Sequence, residues 1–370
     1  MPFRPLTRAI AALCVTTAAI WLAPVSVAQN QTTAVPAARV IAASTVRLPS
    51  EADSNSPAVW ERVDGRLRLF VLTSIGGESQ RADGTDVTRL AARGAVTFEN
   101  HPGAGVWFEA IVPDVDGTWY GFYHNEWPAT VCNDPARTIP RIGAARSQDF
   151  GATWYDLGVV LESPPNTHDC ASANQYFVGG VGDFSVMLDS ASQYLYFFFS
   201  QYANREASQG VSVARLAWAD RDAPSGKVAV WLRNQTWIPA RSIRTRSGDA
   251  RHVYPAGGPI YRAAEAWHTG PSVDAFWGPS VHWNTYLGQY VMLLNRARDA
   301  AWTQEGIYVA FAASLDDPSK WSAPQRLLSS LRWYPQVIGT ESGIGTDRIA
   351  GERARLFIGG RSDHIIQFSK

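Results

Sequence analysis

The chain has 370 residues, 33 basic against 33 acidic, and a 46% hydrophobic content rich in rings: 15 Trp, 13 Tyr and 15 Phe. That apolar content with only 18% charge excludes a disordered chain, and 30 Gly with 22 Pro argue against a helical bundle. Balanced charge leaves no electrostatic footprint for nucleic acid or an anionic membrane.

The first segment reads as an address. Arg4 and Arg8 precede an apolar run to Leu22, and Ser26-Val27-Ala28 supplies a small-x-small site. A membrane-spanning helix needs roughly 20 apolar residues and this run is shorter. Residues 1–28 are therefore expected to be a signal peptide cleaved after Ala28, with a retained anchor as the alternative. The remainder, 29–370, is expected to be one exported domain, secreted or periplasmic, monomeric and without membrane contact. Its two cysteines, Cys132 and Cys170, read as one disulfide, since exported chains oxidise paired thiols. Two separate buried thiols are the alternative.

A strand at residues 39–47 comes first and has no partner nearby. Five similar units follow, each a short apolar strand, a polar turn and a second strong strand. They run from Asp53 through Asp64-Gly65 to Thr73, from Val106 through Asp116-Gly117 to Tyr123, and from Gly182 through Ser190 to Phe199. The last two run from Trp277 through Leu287-Gly288 to Leu294, and from Trp333 to Ile358. β-Branched and aromatic residues bounded by Gly, Asp and Ser are the composition of hairpins. Third strands follow at 142–146, 210–215 and 306–311. Five near-equal meanders predict an all-β fold, a five-bladed β-propeller. The last unit lacks a fourth strand, so residues 39–47 are expected to complete it and close the ring. An insertion at about 233–272, carrying Arg241, Arg244, Arg246 and Arg251, is expected to form a lid or rim.

One local motif is specific. Ser147-Gln-Asp-Phe-Gly-Ala-Thr-Trp154 has the Ser-x-Asp-x-Gly-x-Thr-Trp form of an Asp-box. It resembles the folding element of sialidases and other propellers, which implies a structural role for Asp149.

Acidic and aromatic residues recur where inner strands begin and where second strands lead to third ones, points that share one face of a propeller. Asp53, Glu109, Asp183 and Asp274 lie at the former; His124, Glu126, Arg141 and Glu305 at the latter. Carboxylates converging on an aromatic-walled pocket suit a carbohydrate, because one acid can protonate a leaving oxygen while another attacks or activates water. Asp53, Asp183, Glu126 and Glu109 are the candidate catalytic residues. His124, Trp277, Asp274, His282, Glu305 and Arg141 are candidates for substrate contact.

With these residues in place the chain resembles the five-bladed propeller glycoside hydrolases, the grouping that includes families 43 and 32. Asp53-Ser-Asn-Ser-Pro57 is similar to the Asp-x-Asn-x-Pro segment of β-fructosidases, which implies Asp53 as nucleophile or base. Gly182-Asp183-Phe184 is similar to the third-blade segment whose Asp steadies the transition state. Where those families carry an acid before Gly-Pro or Cys-Pro, this chain has Trp277-Gly278-Pro279. Glu126 or Glu109 is then the expected acid, with Asp274 and Glu305 behind them. The resemblance implies a poly- or oligosaccharide substrate, a furanoside among the options, with no required cofactor and a channel cation left open. A sialidase-like hydrolase and a non-catalytic carbohydrate-binding propeller are the alternatives.

Overall fold

In a computed structural model of the chain, residues 36–244, 250–265, 272–299 and 301–370 are described; the expected signal peptide lies outside them. Five antiparallel sheets are built in chain order. Blade one holds Ala58–Val63, Arg66–Ile75, Glu78–Gly84 and Leu90–Ala95. Blade two holds Gly105–Pro113, Trp119–Ala129, Asp134–Ser147 and Thr153–Leu161, with Thr97–Phe98 parallel to its last strand. Blade three begins with Val181–Leu188, Tyr194–Tyr202 and Gln209–Ala217, and blade four with Ser272–Asn284, Gln289–Asp299 and Gln304–Ala312. Blade five is Pro335–Gly339, Arg353–Ile358 and Arg361–Ser369. Its outermost strand is Ala37–Arg47, antiparallel to Arg361–Ser369 from Ala37 opposite Ser369 to Arg47 opposite Arg361. The five-bladed propeller and its closure by the N-terminal strand are as expected, and the closure covers the edge that Arg361–Ser369 would otherwise expose.

The core lies between blades, so each sheet buries both faces and its strands read as unbroken apolar runs. The segment Phe197-Phe198-Phe199 makes this plain. Phe197 and Phe199 pack toward blade two with Phe122, whereas Phe198 packs toward blade four with Met292 and Leu294. Each fully buried ring contributes on the order of 2–3 kcal/mol of hydrophobic stabilisation.

The Asp-box lies between the third and fourth strands of blade two. Asp149 Oδ1 accepts from the Thr153 amide at 2.8 Å and the Ala152 amide at 3.1 Å, while Gly151 takes a φ of 76°. Trp154 is fully buried against Phe108, ring centroids 4.3 Å apart. Asp149 therefore has a structural part.

Cys132 and Cys170 form a disulfide with Cα atoms 5.2 Å apart. It ties the loop after Trp119–Ala129 to the chain entering blade three, a closure worth about 4 kcal/mol in the chain-entropy account. The expected insertion is mostly an extension of blade three. Thr236–Pro239 continues that sheet, Tyr261–Arg262 pairs with its third strand, and Tyr254 enters the core between blades two and three.

Candidate functional site

Three inner strands carry a β-bulge at equivalent places. In blade two Phe108 pairs with Tyr123 and Ala110 with Phe122, so Glu109 has no partner across the ladder. In blade three Gly182 pairs with Ser200 and Phe184 with Phe199, leaving Asp183 unpaired at φ 41°. In blade four the register shifts between Trp277 and Ser280, at Gly278-Pro279. A bulge re-aims the extra residue, and here it turns a carboxylate out of the interblade core.

Asp53 precedes the first strand of blade one, and Asn55 beside it stitches the hub. Its side-chain amide donates to the Phe184 carbonyl at 2.8 Å and the Pro279 carbonyl at 3.2 Å. Gln336 of blade five bonds both the amide and the carbonyl of Ser56. Glu109 Oε2 accepts from the Phe184 amide at 2.9 Å. All five blades thus meet around these residues.

Asp53 Oδ1 accepts from Trp107 Nε1 at 2.8 Å, and the Trp107 ring lies 5.6 Å from His124. Asp183 is buried, with the hydroxyls of Tyr202 and Tyr334 donating to its two oxygens. Its amide donates to His124 Nδ1 at 3.1 Å. His124 is buried between three acids: Nδ1 is 3.7 Å from Glu109 Oε1, and Nε2 is 3.3 Å from Glu126 Oε1.

Burial is the largest influence on the carboxyls. It raises Asp53 against the Trp107 and Gly76 hydrogen bonds, and the Asp183 charge adds to it. Glu109 is raised furthest, first by complete burial and then by the Asp183 charge. Asp183 is also raised by burial, with His124 and Tyr202 acting against it. Burial lowers the His124 imidazole, but the Glu126 bond and the charges of Asp183, Glu126 and Glu109 outweigh it and raise the pKa to about 9. Because Nδ1 accepts the Asp183 amide, it is Nε2 that donates to Glu126. Groups whose surroundings push their protonation apart are the mark of acid–base sites.

Glu109, His124 and Asp183 also present ligand atoms within 4.8 Å of one another. Yet the Asp183 oxygens and His124 Nδ1 already have hydrogen-bond partners, and only Glu109 Oε1 lacks one. The donor set is organised for protons rather than for a metal ion.

Other expected site residues lie elsewhere. His282 is fully buried between blades four and five, 5.6 Å from the Phe368 ring, so it is a core residue rather than a substrate contact. Asp274 is gripped by Arg296 at 2.7 and 2.9 Å, and Glu305 accepts from Tyr308 at 2.6 Å and pairs with Arg326. These acids are spent in a blade-four network, which removes them as candidates for the acid. Arg141 donates to Asn125 at 2.9 Å and stacks on Trp127, on the other face of the sheet from His124. Trp277 is buried behind Tyr334, ring centroids 5.5 Å apart, so it backs the site without facing a ligand. The sequence reading passed over Tyr202, Asn55 and Gln336, whose only signal is a polar group at the end of an apolar strand.

Asp53 opens onto a cleft of about 340 Å³ walled by Trp333, Tyr334, Ile75 and Leu331, with Arg47, Arg332 and Arg361 around it. The hub of the five-bladed propeller thus gathers carboxyls that burial and one another's charge raise.

The chain is similar in shape to several solved structures. The chain is similar to the endo-arabinase of Bacteroides thetaiotaomicron, at 13% identity over 86% of this chain and 94% of that one, with a TM-score of 0.47. It is similar to a thermostable family-43 glycoside hydrolase, at 11% identity, 87% and 91% coverage and a TM-score of 0.48. An exo-β-1,3-galactanase of Phanerochaete chrysosporium with galactose matches at 12% identity, 89% and 64% coverage and a TM-score of 0.47. Identities this low concern the fold alone. No family model matches the chain, and no curated protein does.

Proposed function

We propose that the chain is an exported glycoside hydrolase acting on a poly- or oligosaccharide, with furanoside-containing chains the first to test. The observation that carries the reading is the coupling of Asp53, Glu109 and Asp183: each is raised by burial, and the Asp183 charge acts on both of the others. Asp53, on the open cleft, serves as base or nucleophile at the anomeric carbon. Glu126, whose side chain is 28% exposed, serves as the acid, and buried His124 orients it from Nε2 at 3.3 Å. As the glycosidic C–O bond breaks, the leaving oxygen takes the Glu126 proton. Water supplies the new C–O bond: in direct attack Asp53 takes its proton, whereas after a glycosyl–Asp53 ester Asp53 leaves as carboxylate and Glu126, having given up its own proton, takes the one from water. Asp183, held by two tyrosines, keeps the Glu109 proton in place.

A screen of aryl glycosides and polysaccharides with reducing-sugar detection tests this reading. Release of sugar by the wild type, lost in Asp53→Asn, is the expected result. Binding without turnover would instead leave a carbohydrate-binding propeller. A second reading, a sugar bearing a carboxylate, is favoured by Arg47, Arg332 and Arg361 around the cleft. It is the weaker one, since Arg361 is already held by Asp363 at 2.7 Å. Cleavage of an aryl sialoside or uronide in preference to neutral sugars would reverse that order.

A further inference from the structure

A cavity larger than the hub cleft lies away from the hub carboxylates. It measures about 690 Å³ and lies between blades three and four at the opposite end of the propeller. Asp183 begins the inner strand of blade three and Asp189 follows its end, six residues on, which is about 20 Å at roughly 3.3 Å per residue.

Aromatic side chains form one part of the wall: Tyr194, Tyr196, Trp283 and Tyr290, with Trp283 and Tyr290 centroids 4.8 Å apart. Tyr194 and Trp283 are partly exposed, so ring surface is available to a ligand. Asp189 and Asp316 stand over the same space from different blades. Burial raises the Tyr196 and Tyr290 hydroxyls, and both aspartates add to it in each case, so the two carboxylates converge on these phenols. Two cations share the cavity with them, Arg348 also facing the charge of Asp347. Arg215 lies over the Tyr194 ring at 4.5 Å, and Arg348 lines the cavity with a buried Nε that has no partner among the described residues.

Two carboxylates, two guanidiniums and flat rings select against an ion of either sign. They suit a neutral ligand whose hydroxyls both donate to Asp and accept from Arg, and whose apolar face lies on a ring. The volume is that of a small-molecule site, and its wall is polar and apolar in about equal parts. We propose that this cavity is a second carbohydrate-binding site, non-catalytic, for a neutral oligosaccharide. It goes beyond the hydrolase reading and does not require it.

Calorimetric titration of the full-length Asp53→Asn protein with a panel of neutral pentose and hexose oligosaccharides tests it. Two sites per chain are expected. Asp316→Ala, on an exposed turn, and Trp283→Ala should each weaken one site by about tenfold or more and leave the other. In the otherwise wild-type chain neither change should alter turnover of a small aryl glycoside. A single site untouched by both variants would overturn the proposal, as would tetramethylammonium or acetate binding there where no sugar binds. If no glycoside is cleaved but the Asp316-sensitive site persists, the hydrolase reading fails and this one stands.

Discussion

The two ends of the propeller contrast in how they treat charge. At the hub end Asp53, Glu109 and Asp183 are crowded and desolvated, with no arginine or lysine among the principal influences on any of them. At the far end Asp189 and Asp316 share their cavity with Arg215 and Arg348. The first arrangement holds a proton where water would remove it, which is what bond breaking needs; the second is close to neutral and suits recognition. Cavity size follows the opposite order, about 340 Å³ against about 690 Å³. The proposed function thus puts the chemistry where protonation is strained rather than where the cavity is larger.

Four substitutions test this contrast. The largest effect belongs to Glu126→Gln. Glycosides with poor leaving groups should lose roughly 10²–10⁴-fold in kcat/KM, while dinitrophenyl glycosides, which leave without a proton, should be nearly unaffected. Equal losses across a leaving-group series would remove Glu126 from the proton path. Gly182→Ala comes next. A Cβ there would stand 2.3 Å from His124 Nδ1 and 2.4 Å from its Cε1, so the imidazole must move off both Glu109 and Glu126. Activity should fall by on the order of 10²-fold with a stability loss of about 1–3 kcal/mol. Unchanged kinetics would show that His124 position is immaterial.

His282→Leu acts on stability away from both ends. Burial lowers the His282 pKa to about 3, and neither ring nitrogen has a hydrogen-bond partner in the described structure. The unfolded chain takes up a proton there below about pH 6.5 and the folded chain does not, so the wild type loses stability as pH falls through that range. The leucine variant should gain on the wild type by on the order of 2 kcal/mol between pH 7 and pH 5, read as a growing difference in Tm. A difference independent of pH would contradict the assignment. The smallest effect is expected for Asp274→Asn. Partly exposed and paired with Arg296, it should cost about 1 kcal/mol and leave turnover unchanged.

Much of the fold was legible in the sequence because propeller blades repeat their signals. The five hairpins, the spare strand at the start and the Asp-box each stand in a run of adjacent residues. The candidate site was legible only in part. Asp53, Glu109, Asp183, His124 and Glu126 come together, while Asp274, Glu305 and His282 do not. Strand alternation gives the face of a residue only until a bulge shifts the register, and Glu109 and Asp183 are themselves the shifting residues. His282 follows ordinary alternation into the core between blades. Asp274 and Glu305 were captured by Arg296 and Arg326, pairings across strands that no spacing along the chain reveals.

Steady-state turnover of the best aryl glycoside by wild type, Asp53→Asn and Asp316→Ala weighs the two ends against each other in one assay. The account predicts a loss on the order of 10³-fold or more for Asp53→Asn and none for Asp316→Ala. Comparable turnover in Asp53→Asn, or a larger loss in Asp316→Ala, would contradict it.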